Sequence, residues 1–428
     1  MEEPWSGRRL HFVGIGGAGM SGLAVVARAL GASVTGSDRA AGSPFAATLR
    51  AAGIEPAIGH GAANVPEGAE VVYSSAIPPT NPERRPPELH RADLLGELTR
   101  LKPTIAISGT HGKTTTSSMV VHALRGAGAD PSYLVGGEVR STGANAAWGT
   151  GEWLVVEADE SDRTLLKLAP TIAVVTNAEL DHHTTYASQR DVDGTFTRFL
   201  APAAHQVVPP DLVRLAAQPT VFDAQPALTA SGSNFDFHGI PVTLAVPGAH
   251  NALNAAAALT AIELAGADVA AAAEALTSFE GAGRRFERLG TTASGALVVD
   301  DYAHHPTEVR ATIEAARTLD PRRVVACFQP HLYSRTQREA AAFGRALASA
   351  DLAVVLDVYP ARENAEDFPG VTGLLVAEAT ADAGGGKRVA WMRTHAAAEA
   401  FLRNELCSGD LLLTMGAGDV DRVGRSLI

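Results

Sequence analysis

The sequence predicts an α/β fold in three domains built on parallel sheets, and three observations predict it. Apolar β-type runs alternate with helix-forming segments along most of the 428 residues, the pattern of strands joined by crossover helices. Two of the strand-to-helix turns are glycine-rich, Gly14-x-Gly16-x-x-Gly19 and Gly109-x-x-Gly112-Lys113-Thr114-Thr115. Breaks at Lys102-Pro103 and at the glycine hinge Gly281 to Gly283 divide the chain into 1–102, 103–287 and 288–428.

Bulk properties set the frame. A 46% hydrophobic content suffices for ordinary buried cores over domains of roughly 100–200 residues. The formal charge of -12 argues against a nucleic-acid or anionic membrane surface, so no nucleic acid and no membrane is expected as partner. Cys327 and Cys407 are far apart and outside any C-x-x-C spacing, which supports neither a disulfide framework nor a zinc site. The N-terminal Met1-Glu2-Glu3-Pro4-Trp5 lacks a basic region followed by an apolar stretch, and no apolar run approaches ~20 residues. A cytoplasmic protein is expected, as a monomer or homodimer.

In the first domain, the strand from Leu10 runs into Gly14, Gly16, Gly17 and Gly19, then Met20 and a helical pattern from Leu23 to Leu30. A second strand from Ser33 ends at Asp38. This is a Rossmann-type opening: glycines permit close phosphate approach, a helix N-terminus faces the anion, and an acid about 20 residues on suits a ribose hydroxyl. Taken alone, the motif favours NAD or FAD, and a ligand-free turn is the bland alternative. The strand from Val71 enters the Pro-rich loop carrying Ser75, and a helix is expected from Leu89 to Leu101.

The second domain opens on the strand from Thr104 to Ser108 and then Gly109, Thr110, His111, Gly112, Lys113, Thr114 and Thr115. This reads as a phosphate-binding loop, shorter than G-x-x-x-x-G-K-[ST]. Its glycines bring backbone N–H groups to an anion, Lys113 adds charge, and Thr114 can hold magnesium. Lys102, Lys113, Lys167 and Lys387 are the only lysines, so a lysine in this loop is hardly accidental. The strand from Trp153 ends in Glu157, Asp159, Glu160 and Asp162, where a nucleotide's magnesium would be held; an acidic loop capping a helix is the alternative. The strand from Thr171 to Asn177 leads to Asp181, His182 and His183, a candidate second metal site although imidazole is not the preferred ligand of a hard cation. Residues 201–237 read as short peripheral strands. Beyond them, Asn251 and Asn254, three apart at the start of a helix, suit a base edge, though capping alone explains one of them. Arg284 and Arg285 follow a glycine hinge, where a contact to phosphate is possible.

The third domain has strands ending at Asp300 and Asp301, at Gln329 before His331 and Arg335, at Tyr359, and at Gly416. Helices are expected here through Leu319 and from Glu339 to Leu347, with a loop from Ala383 to Lys387, and in the second domain over Ala270 to Ala275. Functional loops of such a parallel domain lie at strand C-termini.

Together these segments resemble the Mur ligase family. The resemblance rests on HFVGIGGAGMSGLA, SSAIPPTNPE, SGTHGKTTT, EADESD, VTNAELDH, HNALNAAAAL, GRRFE, DDYAHHPTEV, FQPHLYSRT and the closing GAGD, ten motifs in order over nearly the whole chain. It implies a Rossmann-like N-terminal domain holding a UDP-sugar, a central P-loop ATPase domain and a Rossmann-like C-terminal domain supplying the amino-acid site, which overturns the NAD reading of Gly14 to Gly19. The alanine-adding branch is indicated, with UDP-N-acetylmuramate and L-alanine as substrates and ATP and Mg2+ as cofactors. The branches that add later residues carry a carbamylated lysine beyond the phosphate loop, whereas no lysine stands between Lys167 and Lys387.

The resemblance also implies roles. Lys113 and the loop 109–115 would hold the phosphates, Thr114 and Glu157 one magnesium, and His182 a second. Asn251 and Asn254 would face adenine, and Arg285 and Asp301 would complete the ATP site on closure. Gly14, Gly16, Gly17, Gly19, Met20, Asp38 and Ser75 would bind the sugar nucleotide. His331 and Arg335 would orient alanine, Arg335 by a bidentate contact. Two departures from the family pattern stand at Thr184, in the loop after His182, and at Leu332, where arginine is frequent. The rival readings are a recycling ligase of the same family that adds a ready-made peptide to the same muramate nucleotide, an NAD-dependent oxidoreductase, and a non-catalytic nucleotide-binding protein.

Overall fold

The computed structural model describes residues 3–40, 42–43, 45–183, 185–229 and 232–428. Thr184, one of the two departures, lies outside the described residues. Parallel sheets dominate, and the chain falls into two compact units. One comprises Met1–Ala224, Asp236–Val242 and Leu253–Ala282; the other comprises Gln225–Phe235, Thr243–Ala252 and Gly283–Ile428.

The first unit holds two sheets. Strands β1 (Arg9–Val13), β2 (Ser33–Asp38), β3 (Ala57–Ile58), β4 (Glu70–Tyr73) and β5 (Glu88–His90) form a parallel sheet in the order β3-β2-β1-β4-β5. Helices α1 (Ala18–Ala29), α2 (Ala46–Ala51) and α3 (Arg91–Leu98) connect or follow its strands. The expected helix from Leu89 is shorter than expected because Glu88–His90 is taken by β5. The strand order reverses beside β1, so the loop after β1 opens at the switch point where ligands enter such sheets.

The second sheet contains β6 (Thr104–Ser108), β7 (Ser132–Val139), β8 (Ala144–Ala147), β9 (Leu154–Glu157), β10 (Ile172–Val175), β11 (His205–Val208) and β12 (Pro219–Val221), in the order β12-β11-β10-β6-β9-β7-β8. All its pairs are parallel except β7 with β8. Strand β6 is buried at every position and central, and α4 (Lys113–Gly126) follows it directly. Its neighbours are β9 and β10, so their C-terminal ends flank the loop 109–112. Helix α5 (Gln189–Leu200), capped by Ser188, returns the chain to β11. Apolar residues of both sheets and of their helices, among them Phe12, Leu23, Leu94, Leu134, Val156 and Phe196, share one core.

Strands β13 (Ala227–Thr229), β14 (Gly232–Phe237) and β15 (Ile240–Leu244) make a small sheet, followed by α6 (Ala249–Leu264) and α7 (Val269–Ala275). In the second unit, β16 (Glu287–Thr291), β17 (Leu297–Asp301), β18 (Arg323–Phe328), β19 (Leu352–Leu356), β20 (Arg388–Met392) and β21 (Asp410–Met415) stand in the order β16-β17-β21-β18-β19-β20. Only β16 runs antiparallel among the described pairs. Helices α8 (Pro306–Arg317), α9 (Tyr333–Leu347), α10 (Gly373–Ala383), α11 (His395–Glu405) and α12 (Asp421–Leu427) complete it. Helix α9 begins six residues before the expected Glu339 and takes Arg335 into its first turn. Among the described residues, no helix is long and apolar enough to cross a membrane.

Candidate active site

The glycine loop after β1 is held in shape by its own backbone and by β2. Gly14 has φ +74°, and its N–H and that of Ile15 donate to the Ser37 carbonyl. Asp38, at the end of β2, accepts from Gly16 N at 2.8 Å. A Cβ on Gly16 would lie 2.8 Å from that carboxylate, so only glycine fits there. Asp38 therefore ties down the loop, beyond the ribose role expected of it. Gly17 caps α1, Gly19 lies in its first turn, and the Met20 side chain is buried in the core, leaving its backbone as the part that could face a ligand. Ser75 donates to Asp162 Oδ2 at 2.9 Å.

The loop after β6 is built equally tightly. Gly109 has φ +138°, and a Cβ there would collide with Thr176 and Asn177. Asn177, just beyond β10, accepts from His111 N through its side chain and from Thr110 N through its carbonyl. The Thr110 hydroxyl donates to the Glu179 carbonyl, and His111 Nε2 lies 3.6 Å from Glu179 Oε2. Gly112, at φ +81°, starts α4, and its Cα faces the Asn254 amide, to which a Cβ would come within 2.5 Å. Lys113 folds back so that Nζ donates to the carbonyls of Gly109 and Thr110 and pairs with Glu160 Oε2 at 2.9 Å. The nearby acids Glu160 and Asp159 raise its pKa against the opposing effect of burial, so it is charged at any working pH. Thr115 is buried in the same first turn.

The acids after β9 have separate partners. Glu157 accepts from the Thr114 hydroxyl at 3.1 Å and from Gly136 N at 2.7 Å. A hydroxyl and a carboxylate side by side next to this glycine loop are hard oxygen donors, which fits Mg2+. Glu160, 3% exposed at its side chain, also meets His182 Nε2 at 3.2 Å, while Asp181 lies 3.7 Å from the same nitrogen. This mixed imidazole–carboxylate set is the softer of the two candidate cation sites. Asp159 and Asp162 both accept from Arg91, the first residue of α3, at 3.1 and 2.7 Å. Although burial opposes it, Arg91 and hydrogen bonds to Thr164 and Ser75 hold the Asp162 carboxyl down at about 2. A cavity of about 250 Å³ is lined by Gly19, Arg91, Lys113, Gly136, Glu157 and Asp159 among others, so the first turns of α1 and α4 open onto one space.

In the second unit, Asp301 ends β17, 8% exposed, and accepts from Phe286 N and Ala303 N at 2.8 and 2.7 Å. Burial pushes its carboxyl up to about 6, opposed chiefly by the charge of Arg285. The Arg285 guanidinium lies over the Tyr302 ring and 3.6 Å from Glu308. Arg284 is the firmer anchor, bonded to Asp300 and to the Gly416 and Gly418 carbonyls. Asn251 donates to the Pro247 carbonyl. His331, after β18, stacks on Tyr359. Arg335 is only 5% exposed, with Nη1 3.5 Å from His331 Nδ1. Sequence reasoning missed Arg91, Asn177 and the pairing of Glu160. Arg91 had a signal: a cation at the first position of a helix opposes the helix dipole and needs an acidic partner.

Three family models match in succession: the Mur ligase family catalytic domain over residues 9–102, the Mur ligase middle domain over 107–209, and the Mur ligase glutamate ligase domain over 284–418. The UDP-N-acetylmuramate--L-alanine ligase of Rubrobacter xylanophilus is 42% identical over 98% of this chain and 99% of its own. That of Acidithiobacillus ferrooxidans is 44% identical, covering 96% of both chains. The crystal structure of the UDP-N-acetylmuramate-alanine ligase of Thermotoga maritima superposes with a TM-score of 0.83 at 28% identity, covering 98% of each chain. A murein peptide ligase of Psychrobacter arcticus, at 24% identity and TM-score 0.70, shares the fold. With three consecutive domain models and full-length relatives of this identity in agreement with the parallel sheets, the chain belongs to the Mur ligase family.

Proposed function

We propose that this protein is a ligase that joins L-alanine to the carboxylate of UDP-N-acetylmuramate with consumption of ATP, in peptidoglycan precursor synthesis. The observation that carries the reading is the cavity at the first turns of α1 and α4, which Gly19, Lys113 and Glu157 line together. Amide formation from a carboxylate in water is uphill, so the γ-phosphoryl group first passes to the muramoyl carboxylate. The alanine amine then attacks the acyl phosphate carbonyl through a tetrahedral intermediate, and phosphate leaves. Such a transfer needs alignment and charge neutralisation rather than a protein nucleophile.

In this reading Lys113 releases Glu160 and takes the β- and γ-phosphates together with the amides of 109–115. Thr114 and Glu157 hold a magnesium ion, and His182 a second. Bound magnesium supplies neutralisation of phosphate charge. Asn251 and Asn254 recognise adenine, Arg285 and Asp301 serve the ATP chemistry, and His331 and Arg335 take the alanine. The glycines 14, 16, 17 and 19, the Met20 backbone, Asp38 and Ser75 form the sugar-nucleotide site. The division at 102 and 287 follows the same roles, and the nucleotide substrates place the enzyme in the cytoplasm.

The test is phosphate release from ATP with magnesium and UDP-N-acetylmuramate, comparing L-alanine with L-serine, glycine and the recycling tripeptide, with the product weighed by mass spectrometry. Release that depends on alanine with a matching product mass is expected. Preference for the tripeptide would reassign the chain to the recycling ligases, and no release with any amine would defeat the reading.

A further inference from the structure

Arg91 has a place and a set of partners that the roles above leave unexplained. It follows β5 at the C-terminal edge of the first sheet, two strands from the glycine loop of β1, and its side chain is 18% exposed. One nitrogen, Nη2, meets both Asp159 and Asp162. Among the described residues Nε and Nη1 donate to no protein group. Nη1 lies 3.1 Å from the position a Cβ on Gly19 would take, so it points at the first turn of α1 from inside the cavity. That turn carries no acidic side chain. Lys113, the other cation lining the cavity, is already paired with Glu160.

We infer that Arg91 is a substrate-binding residue, whose free Nε and Nη1 receive the diphosphate of the sugar nucleotide beside Gly19 while Nη2 stays anchored on Asp159 and Asp162. The inference rests on the UDP-sugar reading of the first glycine loop. A planar guanidinium suits the task, because one edge holds two carboxylates while another offers donors to a phosphate oxygen, which an ammonium cannot do in fixed geometry. The two acids also neutralise Arg91 in the absence of ligand and fix its rotamer, so less freedom is lost on binding. They follow Glu157 by two and five residues, which ties the sugar-nucleotide site to the segment bearing the candidate magnesium ligand.

Calorimetric titration of the full chain with uridine, UDP, UDP-N-acetylglucosamine and UDP-N-acetylmuramate tests this, using wild type, Arg91→Met and Arg91→Lys. Removing a charge-assisted donor is expected to weaken the three diphosphates alike, by roughly 10–100-fold, and to leave uridine unchanged; lysine recovers part of the loss. Retained binding of an ATP analogue shows that the variant is folded. If Arg91→Met does not fold, Arg91→Lys decides, with a few-fold loss expected for UDP and none for uridine. Unchanged UDP affinity overturns the assignment. So does an equal loss for uridine, which marks a structural role, and so does a loss confined to UDP-N-acetylmuramate, which would place the guanidinium on the lactyl carboxylate. Failure of the wild type to bind any uridine nucleotide would overturn the UDP-sugar reading itself, and the assignment with it.

Discussion

Glu157, Asp159, Glu160 and Asp162 look alike in sequence, four acids within six positions, yet each has its own work. Glu157 belongs to Thr114 and Gly136, Glu160 to Lys113 and His182, and the two aspartates to Arg91. Lys113 stands out as the candidate phosphate lysine because the chain uses so few lysines. Lys102 shows the limit of that argument, since its ammonium is wholly structural: it donates to Ser132 Oγ and to the Gly149 and Gly151 carbonyls. For Lys113→Met we expect a loss of phosphate release of at least about 10²–10³-fold, as for removal of one preorganised donor in other enzymes. The same change leaves the buried Glu160 without its main cation. Breaking a buried pair costs about 3–5 kcal/mol, and here less, because His182 remains. Lys113→Met should therefore melt earlier than wild type, and adding Glu160→Gln should restore the melting temperature without restoring turnover. A single variant as active as wild type would refute the phosphate role, and a double variant as unstable as the single one would refute the pairing argument.

At the scale of elements, the candidate phosphate loop sits where three strand ends meet: β6 delivers the loop, β9 delivers Glu157 and β10 delivers Asn177. The spacing of glycines predicted the first of these. The acids after the strand from Trp153 point to the second, whereas Asn177 depends on which strands neighbour β6, which pairing decides and local sequence does not. Helix α9 starts at Tyr333 rather than at Glu339 because the chain turns at Leu332, whose φ of +68° no sequence rule flags. Strand β7 carries Gly136 and Gly137, poor strand residues by propensity. Glycine is needed at 136, where a Cβ would lie 2.7 Å from the Glu157 carboxylate. Gly112→Ala gives a direct test of the junction between β6 and α4. It imposes a left-handed conformation costing roughly 1–2 kcal/mol and drives a methyl into Asn254. A lower melting temperature and at least tenfold weaker ATP binding are expected; wild-type affinity in a stably folded variant would show that the geometry of Gly112 is dispensable.

On the scale of the molecule, ligands that bind the native state raise its stability by mass action, by about 2.7 kcal/mol at a hundred times the dissociation constant. If Thr114 and Glu157 hold the metal of a bound nucleotide, EDTA should abolish the rise in melting temperature caused by an ATP analogue and leave the rise caused by the UDP-sugar. Loss of both, or of neither, would count against that separation of sites. The sequence by itself determined the class and the family: parallel α/β from the alternation of apolar runs, a tight glycine turn into a helix at the candidate phosphate loop Gly109 to Thr115, and the family from ten ordered motifs. Those are local signals, since a turn, a cap or a helix start depends on residues close in the chain. Tertiary structure alone decided which acid serves which cation, that Asp38 clamps the glycine loop, that Met20 and Arg335 are buried, and that Arg91 faces Gly19. Each of these pairs residues from different strands or helices, and such contacts arise from sheet order and packing, which no short stretch of sequence encodes.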